Sequence, residues 1–510
     1  MNALAHGLKP LRPHQLRTLD QAKASLVDGH RRPMIQLPTG AGKTVIAAHI
    51  VAGARAKSKR VAFCVPSIGL IDQTFERFVE NGIDPAEMGV IQGNHPWKRP
   101  GAPIQIATAQ TLARRDRPDV DVIVIDEAHV MHRVYQTWMD EQPDRIFIGL
   151  SATPWAKGLG KRFDDLIRPT STAELIEAGM LSKFRVFAPS HPDLSDVRTV
   201  AGDYHEGDLG VAMSKTHLVA DVVTQWLARG EGRPTLCFAV NRAHAQMIAL
   251  QFTEAGVPTA YVDADTPREE RDLIGKRLAE GAVKVVVNIG CLTTGIDWDV
   301  RCLILARPTK SEMLFVQIIG RALRTAEGKD HALILDHSDT HLRLGMVTDI
   351  DHDALDDGRA VSAADREARK KKLPLPRECT ACAALIPATM RQCPCCGTVQ
   401  PLRTGVAVDD GDLAELGAGG VRAAQGTVKA KIAAQGRAVV YGQLLGFAYE
   451  RGRSDGWAAH AYREVFGTWP NRLSKLDRFE PTPLMRSWLR SRDIAFAKSR
   501  NAQRERGTAA

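Results

Sequence analysis

Between residues 34 and 340, short β-branched apolar runs alternate with longer stretches whose apolar positions recur at i, i+3, i+4 and i+7. The runs Arg60–Val65, Ile104–Ala107, Val120–Ile125, Arg145–Leu150, Thr235–Val240, Lys284–Ile289, Cys302–Ala306 and Ala332–Leu335 read as strands. Ile68–Glu80, Asn241–Ala255, Arg268–Glu280 and Ser311–Arg324 read as helices. Such alternation builds βα units around a parallel sheet. The strands fall into two groups, parted by the polar, glycine-containing interval Ala188–Gly210, so the pattern predicts two α/β lobes, 1–168 and 169–345. No internal repeat of fixed period is visible.

After Leu344 the pattern lapses. DIDHDALDDGRA is acidic and REARKKK is basic, which reads as a charged linker (346–376) with little to bury. A cysteine-rich stretch (377–400), a linker rich in Gly, Ala and Asp (401–435) and an aromatic segment (436–510) follow. Composition adds limits: 44% hydrophobic and 25% charged residues are average for a soluble globular chain, which excludes a collagenous or coiled-coil rod. No run of about eighteen apolar residues is present, and the start lacks the apolar centre of a signal peptide. A cytoplasmic protein without membrane contact is expected. Charge is uneven as well as positive: Val421–Ala510 holds 17 Lys+Arg against 7 Asp+Glu, and the rest of the chain 51 against 52. The basic excess lies wholly in the last ninety residues, where a phosphate backbone would find it. A solubilising tail is the plainer alternative.

Two contiguous stretches of the first predicted lobe carry chemistry. Gln36–Thr44 (QLPTGAGKT) stands between an apolar run and a helix-like segment, Val45–Ala56. In it Gly40 and Gly42 allow close approach to a phosphate, Lys43 neutralises β/γ charge, and Thr44 can ligate Mg²⁺. Leu37 stands where the general G-x-x-x-x-G-K-[ST] pattern has its first glycine. Further on, Val122–His129 (VIVIDEAH) ends a predicted strand with two carboxylates. There Asp126 is placed to hold Mg²⁺ and Glu127 to orient and deprotonate a water, a division that suits phosphoanhydride hydrolysis.

These residues resemble the superfamily 2 helicases and translocases, and the resemblance runs in order from Leu11 to about Asp336. It implies two tandem RecA-like parallel-sheet lobes that bind ATP·Mg²⁺ between them. Gln15, in LRPHQ, looks like the adenine contact, and Pro38, Thr39, Gly40, Ala41, Gly42, Lys43 and Thr44 like the phosphate loop. Phe63–Gln73 and Ile106–Leu112 resemble first-lobe strand-binding motifs, while Ser151, Thr153 and His129 resemble the set that couples hydrolysis to movement. In the second lobe Thr235–Asn241 fits the fourth motif loosely. Asn288–Asp297 (NIGCLTTGID) is similar to the fifth, with Gly295 and Asp297 as its nucleotide contacts. Gln317–Arg324 (QIIGRALR) fits Q-x-x-G-R-x-x-R, which makes Gln317, Arg321 and Arg324 catalytic candidates, Arg324 the foremost as the arginine reaching the γ-phosphate. The wording looks most like the branch holding type III restriction motors and excision-repair helicases, and one tail phrase, GWAAHAYREVFGTWP, like phage or prophage helicases.

Cys379-x2-Cys382, ten residues, then Cys393-x2-Cys396 is the spacing of a structural Zn²⁺ ribbon, with redox thiols or an iron–sulfur cluster as alternatives. Cys395 is one sulfur too many. The remaining cysteines lie singly in apolar runs, as small buried residues do. From Gly436 onward aromatics return, and Ala458, Tyr462, Phe466 and Trp469 repeat at helical spacing. They predict a small helical domain with a packed face, and base stacking by one or two rings is the sharper alternative. Arg486, Arg490, Arg492, Lys498, Arg500, Arg504 and Arg506 extend it as a basic run. The expected function is an ATP-dependent DNA helicase or translocase, with replication, repair or restriction proteins as further partners. The rivals are a duplex translocase that separates no strands, a restriction-system motor subunit, and an ATP-gated clamp or scaffold.

Overall fold

The computed structural model describes residues 7–293, 296–359, 375–400, 432–471, 473, 477–489 and 492. These form two compact units, divided between Arg403 and Thr404.

The first unit contains two parallel sheets. Strands β1 (Pro33–Gln36), β2 (Val61–Val65), β3 (Met88–Val90), β4 (Ile104–Thr108), β5 (Val122–Asp126), β6 (Ile146–Ser151) and β7 (Asp165–Ile167) make the first, in the order β3-β4-β2-β5-β6-β1-β7. All seven run parallel, and β2 and β4 are buried at every position, so helices must cover both faces. The second sheet contains β8 (Lys183–Phe187), β11 (Thr235–Phe238), β12 (Thr259–Val262), β13 (Val285–Asn288), β14 (Cys302–Leu305) and β15 (His331–Asp336), in the order β12-β13-β11-β14-β15-β8. The last strand of the first sheet ends at Ile167, and the second sheet begins at Lys183. One apolar cluster runs through both lobes, from Ile35, Leu37 and Ile46 to Phe315, Ile318 and Leu323. The lobes therefore share buried surface.

Three stretches depart from the sequence pattern. The interval 188–210 carries a hairpin, β9 (Thr199–Val200) with β10 (Asp203–Tyr204), tied to the second lobe where Thr309 Oγ1 and Lys310 N donate to Asp203, each at 2.7 Å. The acidic connector is not idle over 346–359. Met346, Val347 and Ile350 are buried, Arg168 pairs with Asp351 at 2.7 Å, and the Trp155 and His352 rings lie 4.5 Å apart. The amides of Gly158 and Gly160 donate to Asp356, so this stretch straps the second lobe back onto the first. Its carboxylates serve as acceptors, and that is why acidity misreads as linker. The basic half of the connector, over 360–374, and the linker over 401–431 lie outside the described residues.

The cysteine stretch is not a free-standing module either. Strand β16 (Arg377–Glu378) and β17 (Ala384–Ile386) form a hairpin, and β17 pairs antiparallel with β8, so the hairpin extends the second sheet. Cys379, Ala384, Ile386 and Cys393 are buried in one cluster with Phe187, Trp226 and Leu333. A stretch too short to build a core borrows one.

The second unit has helices Arg437–Glu450 and Asp455–Phe466 and a helical turn over 483–489 around Val440, Leu444, Ala458, Tyr462, Met485 and Leu489. Gly442 and Gly446, one turn apart, are required here, because a Cβ on either would meet Phe479 at 2.4 or 2.1 Å. The helix stops at Phe466 with Gly467 in a left-handed cap (φ 70°). Trp469 therefore lies past the helical stripe and is 42% exposed, whereas Ala458 and Tyr462 are buried in it.

Candidate ATP site between the lobes and a four-cysteine cluster

The phosphate loop follows β1. Leu37, in the place of the missing glycine, is fully buried just past the end of β1, and its amide donates to Ser151 O at 2.9 Å, which carries the β1–β6 pairing one residue further. Gly40 and Gly42 have φ of 89° and 85°, and a Cβ on Gly42 would strike Gln15 Nε2 at 2.4 Å. Helix Lys43–Arg55 then starts directly at Lys43. Beneath the loop, Gln15 Nε2 donates to Ala41 O at 3.2 Å, and its Oε1 accepts from Arg12 N at 2.9 Å. Gln15 is buried under the loop; Arg12 and Lys9 line the open cleft beside it.

Lys43 Nζ lies 2.9 Å from Glu127 Oε1. Glu127 adopts φ 49°, a left-handed conformation costly for a non-glycine residue and typical of functional turns. The other oxygen, Oε2, is buried with no hydrogen-bond partner among the described residues and sits 3.3 Å from His129 Nδ1. Burial opposes the Glu127 charge, but the Lys43 ammonium and His129 hold its pKa well below the carboxylate range. Burial and the Glu127 charge push Asp126 the other way, upward. Ser151 Oγ accepts from Thr153 N at 3.0 Å and meets His129 Nδ1 at 2.9 Å.

Across the cleft stands helix Glu312–Ala322, capped by Ser311. Gln317 Nε2 reaches His129 Nε2 and Thr153 Oγ1, both at 3.2 Å, and so touches two first-lobe motifs at once. Gly320 lies against the phosphate loop so closely that a Cβ would be 2.6 Å from Thr39 Cβ. Arg321 and Arg324 donate to Ile296 O at 3.1 and 2.7 Å, and Arg324 Nη1 pairs with Asp297 Oδ1 at 2.6 Å. Burial and the adjacent Arg324 lower the pKa of Arg321. Together these walls enclose a cavity of about 440 Å³ lined by Thr39, Gly40, Gly42, Lys43, Thr44, Asp126, Glu127, Asp297, Gln317, Arg321 and Arg324. That is the size of a nucleotide-class pocket. Thr44 and Asp126 offer it hard oxygen donors, which fit Mg²⁺. Pro38 faces a second, smaller cavity on the strap side, and Gly295 lies outside the described residues. Sequence reasoning missed Arg77, which also lines the cleft, since no motif contains it.

Comparison with known proteins agrees with this geometry. The family model described as type III restriction enzyme, res subunit, matches residues 8–156, and the helicase conserved C-terminal domain matches 215–326. The chain belongs to the superfamily 2 helicases. Within them it sits in the restriction and repair branch, and it is a nucleic-acid-dependent ATPase by class. A "51.5 kDa protein" of a Lactococcus phage is 29% identical over 71% of this chain and 77% of its own. The "putative ATP-dependent helicase IRC3" of Saccharomyces cerevisiae is 29% identical over 64% of this chain and 51% of its own length, so the chain spans about half of that relative. Among solved structures, a fragment of a putative HsdR subunit of a type I restriction enzyme from Vibrio vulnificus shares the fold at TM-score 0.52, with 21% identity over 68% of this chain and 67% of that one.

This superfamily 2 protein also holds four cysteine sulfurs, of Cys379, Cys382, Cys393 and Cys396, all within 4.8 Å of one another. Sulfurs of Cys379 and Cys396 lie 3.6 Å apart and those of Cys382 and Cys393 3.7 Å. A tetrahedron with Zn–S of about 2.3 Å has edges near these values, so the set fits zinc. The amides of Ala381 and Cys395 donate to the sulfurs of Cys379 and Cys393, and Gly397 (φ 74°) closes the second turn. Cys395 stands outside the cluster, its side chain packed on the second-lobe core. Among the described residues no helix is long and apolar enough to cross a membrane.

Proposed function

We propose that this chain is an ATP-driven DNA motor, a helicase or translocase whose two lobes convert each hydrolysis into a step along a strand. The observation that carries this is Gln317, which from the second lobe touches both His129 and Thr153 of the first. Lys43 and the loop amides bind the phosphates, while Glu127 Oε2, its partner oxygen taken by Lys43, accepts the proton of the attacking water. Arg324, held at the cleft wall by Asp297 and with Arg321 beside it, stabilises the transition-state charge at the γ-phosphate. Asp297, beside the nucleotide, keeps Arg324 in place, and Gln15 and Ala41 set the loop. Thr44 and Asp126 are the residues that would hold Mg²⁺, which would supply neutralisation of phosphate charge. His129, Ser151, Thr153 and Gln317 then register whether the γ-phosphate is present. Zinc on Cys379, Cys382, Cys393 and Cys396 fixes the hairpin that completes the second sheet.

DNA as the track is supported by the restriction family that the first lobe matches, and by the second unit. In that unit Arg453 lies 4.5 Å from the Trp457 ring, Arg463 4.8 Å from Trp469, and Arg478 4.3 Å from Tyr449. Seven such contacts fall among its described residues, and cation–aromatic pairs suit bases and phosphates alike. Arg490, Lys498, Arg500, Arg504 and Arg506 lie outside the described residues. A cytoplasmic setting completes the reading.

The test is the steady-state ATPase rate without polymer and with single-stranded DNA, duplex DNA or RNA, using Lys43→Ala as the blank. DNA should stimulate at least about tenfold, a lowering of the barrier by about 1.4 kcal/mol. Strand displacement then separates a helicase from a translocase. A rate indifferent to every polymer would replace the motor by an ATP-gated clamp.

A further inference from the structure

Arg77 belongs to no motif, yet from the first lobe its side chain reaches Asp297, in the loop that holds both cleft arginines. It stands on helix Ile71–Glu80, whose start overlaps the Phe63–Gln73 stretch that resembles a strand-binding motif. Its Nη1 is 3.1 Å from Glu80 Oε2, which braces the guanidinium from its own helix, and its Nη2 crosses the cleft to Asp297 Oδ2 at 2.6 Å. The other oxygen of Asp297 holds Arg324 Nη1 at 2.6 Å. One carboxylate thus bridges cations from opposite walls.

The geometry matters because the Asp297 side chain is 56% exposed. A carboxylate that open, with one partner, is free to turn and is loosely held. A second, braced cation on its far oxygen fixes its plane, and with it the place of Arg324. The same helix makes a second tie of opposite polarity, from Asp72 Oδ2 to Arg268 Nη1 at 3.0 Å, while Asp72 Oδ1 meets His95 at 2.8 Å. An acid at its start and a base near its end therefore both reach the second lobe, which sets its orientation there as well as its distance.

We propose that Arg77 is a positioning residue for hydrolysis: it acts through Asp297 to present Arg324 at the cleft wall. The inference rests on the reading of Arg324 as the arginine that meets the γ-phosphate. Because the helix begins within the expected strand contact, a bound strand addresses Arg324 through this one side chain, and the effect belongs in the polymer-stimulated turnover. A mere surface tie between lobes would act on affinity or stability instead.

The experiment is steady-state ATPase of the full chain at saturating single-stranded DNA for Arg77→Ala, Arg77→Lys, Asp297→Asn, the double variant Arg77→Ala/Asp297→Asn, and Arg324→Ala, with thermal melting of each. Arg77→Ala should lose roughly tenfold in kcat with KM for ATP within about twofold and an unchanged melting midpoint. Arg77→Lys, which keeps the charge, should recover most of the loss. The double variant should be no slower than Asp297→Asn alone, since the two act as one unit. An unchanged or raised kcat in Arg77→Ala beside an inactive Arg324→Ala overturns the proposal, as do losses for Arg77 and Asp297 that multiply. Full turnover by Arg324→Ala would instead remove the arginine reading itself, and this proposal with it.

Discussion

The two lobes are built alike, as parallel sheets with helices on both faces, yet they hold their chemistry differently. First-lobe groups sit at or just past the carboxyl ends of β1, β5 and β6, and they pair with one another: Lys43 with Glu127, Glu127 with His129, His129 with Ser151. Among second-lobe groups, Gln317 and Arg321 sit on helix Glu312–Ala322 and Arg324 just past its end, and the two arginines are gathered by the Ile296 carbonyl, Arg324 also by Asp297. Each wall thus pairs most of its own groups, and leaves Glu127 Oε2 on one side and Arg321 Nε on the other without a hydrogen-bond partner among the described residues. On the proposed reading, the first wall binds the phosphates and the second acts on what the first already holds.

That difference is broken most severely at its poles. Lys43→Ala should abolish both nucleotide binding and hydrolysis. Arg324→Ala should leave binding within a few-fold and reduce kcat by roughly a thousandfold, the scale on which an arginine at the γ-phosphate acts. A fluorescent nucleotide titration beside turnover reads both. If Arg324→Ala weakened binding as much as Lys43→Ala, the division of labour between the walls would be wrong.

The next effect lies where the walls touch. Gly320→Ala would place a Cβ 2.6 Å from Thr39 Cβ, so helix Glu312–Ala322 must retreat from the phosphate loop and carry Gln317 off His129 and Thr153. Turnover should fall by about ten- to a hundredfold, as expected when a catalytic group is displaced by about an ångström. Gly53→Ala, with nothing within 4 Å of its Cβ, is the control and should match the unaltered protein in rate. Equal rates for the two variants would show that the lobes need not meet at this point.

The first wall was legible because a phosphate loop and a carboxylate pair are contiguous and each needs fixed residue types. Eight of the strands were legible for a similar reason, being apolar on both faces. What escaped was decided by partners distant in sequence. β8 reads KFRVF, with Lys183 exposed and only its last two residues buried, so it lacks the apolar run of its neighbours, and its place comes from β15 and the cysteine hairpin. The strap over 346–359 escaped because its acids bind backbone amides and Arg168, contacts that leave no period. Arg77 left no signal, since its partner is 220 positions away.

The mildest test asks whether the cysteine cluster serves one lobe alone. Its buried cysteines share a core with Phe187, Trp226 and Leu333, and its hairpin covers the edge of β8, so among the described residues the cluster packs on the second lobe and on no residue of the ATP cleft. Removing zinc with a chelator, or with Cys393→Ser, should expose that edge. Hydrogen exchange should then quicken over Lys183–Phe187 and His331–Asp336, the melting midpoint should drop by on the order of 5 °C, and exchange over Val61–Val65 and Ile104–Thr108 should stay as it was. Turnover at 25 °C should change by no more than a factor of a few, because neither wall has lost a group. One zinc per chain, measured by metal analysis, accompanies this outcome. Equal loosening of both sheets would mean that the lobes unfold as one, and that the shared cluster running from Ile35 to Phe315 outweighs the separate architecture of the sheets.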